Sequence, residues 1–227
     1  MVYLELENEL NKFVKFIFVI MLLLVAAHIC MLILKFGFDH PSVYGLSSLF
    51  NLDAELNIPA WFSGIILFIA SVLLYVIYKI SSGIKPMYYW LFLSIIFLYL
   101  SFDEMASFHE RFMFMLRNYF NLSGFLYFSW VIVGIPFAIL VGLLSVPFLR
   151  RIPPQAAKFF ITAGFLYVFG AAGVEMIGAS VFETHENTLL YALITTVEET
   201  LEMCGVILFI YSLVRYLTYL LNRREIY

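Results

Sequence analysis

Six long apolar runs organise the chain, at about 13–36, 60–80, 87–110, 126–149, 157–182 and 188–221. Each approaches or exceeds the roughly 20 residues needed to cross a bilayer core. Lipid leaves exposed backbone polar groups unsatisfied, so such runs are helices rather than open strands. The pattern predicts an all-α integral membrane bundle of six transmembrane helices. It forms a single domain over residues 1–227, with no room for a separate soluble domain. No small-x-small cleavage site follows the first run, so an uncleaved first helix is expected.

Composition agrees with lipid as the solvent. Hydrophobic residues make up 63% of the chain and charged residues 13%, against about a quarter charged in soluble domains. The mean hydropathy is +0.96. Cys30 and Cys204 both fall in apolar runs and read as small core residues, without a disulfide framework. No phosphate-cradling glycine loop, Ser-His-Asp spacing or basic nucleic-acid patch is present.

Basic residues set the expected orientation. With a cytoplasmic N-terminus, Lys12, Lys15, Lys79, Lys85, Arg150, Arg151, Lys158, Arg215, Arg223 and Arg224 lie inside. Lys35, Arg111 and Arg117 lie outside. Both termini are therefore expected in the cytoplasm, and the longest loop, residues 37–59, outside. Within that loop Leu52-Asp53-Ala54-Glu55-Leu56 alternates apolar and polar positions. It fits a short interfacial segment with Trp61 at headgroup depth, or a capped entry into the second helix at Pro59.

Acidic residues inside the spans change the picture. The third span ends in Asp103-Glu104-Met105-Ala106-Ser107-Phe108-His109-Glu110, the fifth carries Glu175, the sixth carries Glu198, Glu199 and Glu202, and the first carries His28. Ionisable residues in a span are costly and mark candidate functional sites. At about 1.5 Å of rise per residue these groups fall on the order of 10–20 Å below the outer helix ends, in overlapping layers. Helical spacing places Asp103, Ser107 and Glu110 on one face, and Thr195, Glu198 and Glu202 on another. The six-residue step from Asp103 to His109 is expected to turn the imidazole away from that carboxylate. Small residues around Glu175 (Ala171, Ala172, Gly173, Gly178, Ala179) predict close packing inside the bundle.

Seven acids in this layer face only Arg111, Arg117 and Lys35, which are expected to snorkel outward. Buried carboxylates without partners take protons or bind cations. Carboxylates with imidazoles on facing helices also build metal sites in bundles. The candidate metal ligands are Asp103, Glu110, His109, Glu175, Glu198, Glu202 and His28, with Glu199 and Glu104 as candidate catalytic carboxylates. Such a ligand set suits iron, manganese or zinc. A proton-relaying network and interhelical hydrogen bonding by protonated acids are the alternatives. His28 also fits a satisfied core histidine. The Glu183-Thr184-His185-Glu186-Asn187 segment fits an exposed polar turn.

Three stretches, Asn51–Ser63, Ser101–Glu110 and Val197–Gly205, resemble an uncharacterised group of bacterial six-helix membrane proteins with DE-x(4)-HE and EE-x(2)-E motifs. The resemblance implies a multi-pass protein of the bacterial inner membrane and carries no reaction. Glu198-Glu199 is also similar to the paired glutamates of CAAX-type intramembrane proteases. However, Met203 stands where their Arg is expected, and no histidine follows His185. Two functions are expected from the acids: a metalloenzyme acting on a lipid or other apolar substrate, or a cation- or proton-coupled transporter. A subunit receiving a partner's Arg or Lys is a third. The expected contacts are membrane lipid and a small-molecule or lipid substrate, not nucleic acid.

Overall fold

The structure is a computed structural model that describes residues 2–42, 45–81 and 87–224. Lys85 lies outside the described residues, as do the side chains of Arg223 and Arg224. The described residues form helices and no strand. The order is α1 Val2–Gly37, α2 Leu46–Phe50, α3 Ile58–Ile80, α4 Met87–Ala106, α5 Phe108–Phe120, α6 Val131–Leu149, α7 Pro154–Val168, α8 Glu175–His185 and α9 Leu189–Arg224. A 3₁₀ turn, Gly124–Leu126, precedes α6, and a π turn, Phe169–Val174, joins α7 to α8. Six helices are long and apolar enough to cross a membrane, with α7, the π turn and α8 counting as one.

Helix α9 is the axis of the bundle. Met203, Ile210, Leu213 and Val214 on it are buried, and α1, α3 and α7 pack around it. The end of the bundle carrying both chain termini holds the dry core. There Val14, Met21, Leu74, Trp90, Phe148 and Phe160 surround the buried stretch of α9. Trp90 meets Phe148 edge-on, with ring centroids 4.6 Å apart. The outer surface is apolar, with Phe16, Leu23, Phe68, Ile95, Leu143 and Phe165 exposed. Cys30 faces outward and Cys204 is half-buried, so the expected core placement does not hold for Cys30.

Where lipid is the solvent, apolar contact does not by itself join helices; close packing and interhelical hydrogen bonds do. Helices α3 and α4 show both. Ser71 Oγ donates to the Ser94 carbonyl at 2.8 Å, and Ser94 Oγ donates back to the Ser71 carbonyl at 2.9 Å. Nearer the other end, Ser101 Oγ donates to the Gly64 carbonyl at 2.8 Å. Helix α6 is different. It touches α7 and the π turn only sparingly, and Pro136 and Pro147 lie within it.

The expected helix over 87–110 ends at Ala106. Ser107 adopts a left-handed conformation (φ 52°), and α5 starts afresh at Phe108. An L-residue there costs on the order of 1 kcal/mol, so the surroundings must favour the break. Glu110 consequently leaves the face that carries Asp103. In the loop before α3, the capped entry is present: Asn57 accepts from the Ala60 N–H at 3.1 Å and Pro59 sits in the first turn. Trp61 is 53% exposed.

Helices α7 and α9 meet at Gly205. A Cβ there would lie 2.7 Å from the Tyr167 backbone nitrogen and 2.9 Å from the Ala163 carbonyl oxygen. Backbone cannot move aside as a side-chain tip can. Gly205→Ala is expected to destabilise the fold by roughly 1–3 kcal/mol, measured by denaturant unfolding in detergent. Gly142→Ala, whose Cβ meets nothing within 4 Å, is the matched control and should not destabilise.

Candidate functional site

A cavity of about 600 Å³ lies between α4, α6, α7 and α9, within the roughly 300–1,000 Å³ of small-molecule sites. Its floor is apolar: Leu93, Phe97, Phe148, Phe160 and Phe209. Its other end is lined by Glu55, Asp103, Glu104, Glu175, Glu198, Glu199 and Glu202, with His109, Trp130 and Tyr167 beside them. Along α9 the step from Glu198 to Phe209 spans about 16 Å. No Lys or Arg lines the cavity among the described residues. Arg117 is instead stacked over Tyr127 (4.2 Å), and Lys35 lies over Phe36 (4.9 Å).

The hollow exists because of what α6 presents to it. Gly134, Ala138 and Gly142 recur at i, i+4 and i+8 on one face, and all three line the cavity. Several lining residues are also exposed on the outer surface: Phe137 40%, Ile161 56% and Val168 41%. The cavity therefore reaches the apolar outer surface between α6 and α7.

The break at Ser107 creates a contact opposite to the one expected. The chain reverses over Asp103, whose Oδ1 accepts the backbone N–H of His109 at 3.0 Å, capping the first turn of α5. Its Oδ2 lies 3.0 Å from His109 Nδ1. An unbroken helix would have turned the imidazole away, and the left-handed residue brings it back. Burial of the ring alone would lower its pKa. The Asp103 hydrogen bond and charge, with Glu175 and Glu104 behind them, outweigh this and raise it to about 9. His109 Nε2 lies 3.9 Å from Glu55.

On α7–α8 the π turn inserts an extra residue into the helical ladder just before Glu175. Such bulges are frequent at functional sites. At Gly170 a Cβ would lie 3.0 Å from both the Glu198 carbonyl and Glu202 Cγ, so the glycine lets the π turn press closely onto the acid-bearing face of α9. Glu175 Oε1 accepts the indole N–H of Trp130 at 2.7 Å. The indole lies back over α6, where a Cβ on residue 134 would overlap the ring at 2.1 Å. Glu175 Oε2 is buried and has no hydrogen-bond partner.

Residues 46–57 cap this end of the cavity. The Leu52 N–H donates to His28 Nδ1 at 3.1 Å, and His28 Nε2 lies 3.1 Å from Thr196 Oγ1. Tyr191 donates its hydroxyl to Asp53 at 2.6 Å. The cap hangs Glu55 into the cavity, where its Oε2 is buried and unpaired, as is Ser107 Oγ nearby. Burial raises the Glu55 pKa, and Glu110 adds to the rise while His109 opposes it. Burial likewise raises Asp53, against the Tyr191 hydrogen bond.

The structure thus brings Asp103, Glu104, His109, Glu175, Glu198, Glu199 and Glu202 to one cavity. Glu110 is not among the lining residues, and His28 uses both ring nitrogens to hold the cap. In the Glu183–Asn187 segment, Glu183 accepts the Gly124 N–H. Sequence reasoning missed Glu55, Trp130 and Tyr167. The alternation around Asp53 and Glu55 was the available signal for the first. Among the described residues, no three His, Cys, Asp or Glu side chains already converge to hold a metal ion.

An imidazole raised to about 9 is charged at neutral pH. Its contribution to stability is complete below the free value near 6.5 and is lost as pH rises through about 9. NMR titration should place the His109 midpoint near 9, and Asp103→Asn should lower it by roughly 1–3 pH units. The destabilisation caused by Asp103→Asn should shrink once the pH exceeds 10 or so. A wild-type midpoint at or below the free value would contradict this geometry.

No curated protein and no solved structure matches the chain. A family model does match, over residues 16–217, which spans all six membrane-length helices in whole or in part. The chain belongs to the family described as "Domain of unknown function (DUF8692)".

Proposed function

We propose that this protein is a membrane-embedded metalloenzyme that acts on a lipid or other apolar substrate entering its cavity from the side. One observation carries the proposal: a single cavity joins an apolar slot to seven carboxylates, and among the described residues His109 is the one basic side chain that lines it. In a low-dielectric site such carboxylates must take protons or a cation. A divalent ion of iron, manganese or zinc suits carboxylates with imidazole. The buried, unpartnered Glu175 Oε2 is one ligand position, and Glu198 and Glu202 face it from α9. Their side chains, with Asp103 or His109, must turn toward one another to close on the ion.

Bound there, the ion supplies Lewis acidity to a substrate or water oxygen. The protein groups do the rest. Trp130 holds Glu175 by its inner oxygen and leaves the other free. Glu199 and Glu104 stand in the same cavity as acid–base groups. The cap over residues 46–57 covers the acid end. The basic residues along the loops support an orientation with this end outside and both termini in the cytoplasm, and the resemblance of the three motif stretches supports a bacterial inner membrane.

A cation- or proton-coupled transporter is a second reading, favoured by the π turn at the level of the acids. Irregular helices at that depth commonly line ion paths. Liposome flux unchanged by Glu175→Gln and Glu198→Gln together would remove it.

The metalloenzyme proposal is tested by elemental analysis of purified protein offered iron, manganese or zinc in turn. About one equivalent of metal should be retained, and Glu175→Gln or Glu202→Gln should weaken retention by roughly 10–100-fold, as losses in a metal site's coordination shell do. A folded wild-type protein that takes up none of the three would overturn it.

A further inference from the structure

We infer that the cavity binds a single-chain amphiphile with a cationic ammonium head, its tail lying in the α6 slot and its head among the carboxylates. This deepens the proposal above and rests on it for the metal alone; the shape and charge of the slot are independent of it.

The acid end of the slot suits a cationic guest. Seven carboxylates line that end, and among the described residues no Lys or Arg lines it with them. Two of the lining acids carry a buried oxygen without a hydrogen-bond partner, Glu175 Oε2 and Glu55 Oε2. An ammonium group presents up to three donors and one positive charge to such oxygens. An anionic head would meet seven carboxylates and a single imidazole already held by Asp103.

The slot fits one alkyl chain. From the level of Glu198 to that of Phe209 it runs about 16 Å along α9, and its volume is about 600 Å³. The face of α6 along this path carries little bulk at Ala138 and Gly142, so the tail has a groove toward the aromatic floor. Phe148 and Phe160 close the floor, with Trp90 behind them at 4.6 Å and 6.1 Å. The exposed rim of Phe137, Ile161 and Val168 supplies the sideways entrance from lipid.

The test uses the full chain in phosphatidylcholine nanodiscs, with Trp61→Phe removing the exposed indole. Hexadecylamine, hexadecanol and hexadecanoate, each brominated near the tail end, are titrated while the fluorescence of the two remaining tryptophans, the 1%-exposed Trp90 behind the floor and Trp130 at the acid end, is followed. The measurement is made with metal loaded and again after chelation. Saturable quenching by the amine is expected in both states, about tenfold tighter than by the alcohol. That ratio corresponds to roughly 1.4 kcal/mol, the scale of a charge-assisted hydrogen bond. Gly142→Phe, which fills open space without touching an acid, should abolish quenching yet leave metal retention unchanged. Glu198→Gln with Glu202→Gln should remove the preference for amine over alcohol. Equal affinity for the three heads, or quenching indifferent to Gly142→Phe, overturns the inference even if metal binds. Amine binding in a protein that never takes metal upholds it and sinks only the metal proposal.

Discussion

A carboxylate surrounded by hydrocarbon has to be neutralised, and this protein gathers seven of them at one end of a slot that reaches its apolar outer surface. Burying even one unpaired ion costs several kcal/mol. The cost is not offset by arginine or lysine, because neither lines the cavity among the described residues. What offsets it must come as protons, as a cation, or as a guest bearing one. The shape of the slot, its missing counter-charges and its unpaired oxygens all follow from that requirement.

The fold meets the requirement with departures from regular helix. Left-handed Ser107 turns α5 back so that one carboxylate, Asp103, holds both a backbone N–H and the His109 ring. The π turn before Glu175, with Gly170 pressed onto α9, brings the acids of two helices to one level. The cap from α2 to α3 is tied to α1 and α9 through His28, which spends its polarity on position and not on ligation. Strain and irregularity of this kind gather where a site must be held.

Much of this was legible in the sequence. Lipid demands helices of a set length, so six apolar runs announce six spans, and the cost of charge in lipid singles out Asp103, Glu104, Glu175, Glu198, Glu199 and Glu202. The failures share one cause. Helical periodicity assumes an unbroken helix, so it joined Glu110 to the face of Asp103 and separated His109 from it; a single left-handed residue reversed both. Glu55 escaped because a loop residue has no periodicity to place it, and its approach depends on the cap folding over the slot. Trp130 escaped because its role depends on the missing side chain of Gly134 four residues away.

The account stands on the carboxylates of α4, α8 and α9 sharing one positively charged guest. The most direct measurement is an anomalous difference map from crystals of the protein soaked in manganese. A peak bounded by Glu175, Glu198 and Glu202, with those side chains drawn in around it, is the predicted result. A slot without a peak, in which the same carboxylates are satisfied by hydrogen bonds to protein groups alone, would contradict it.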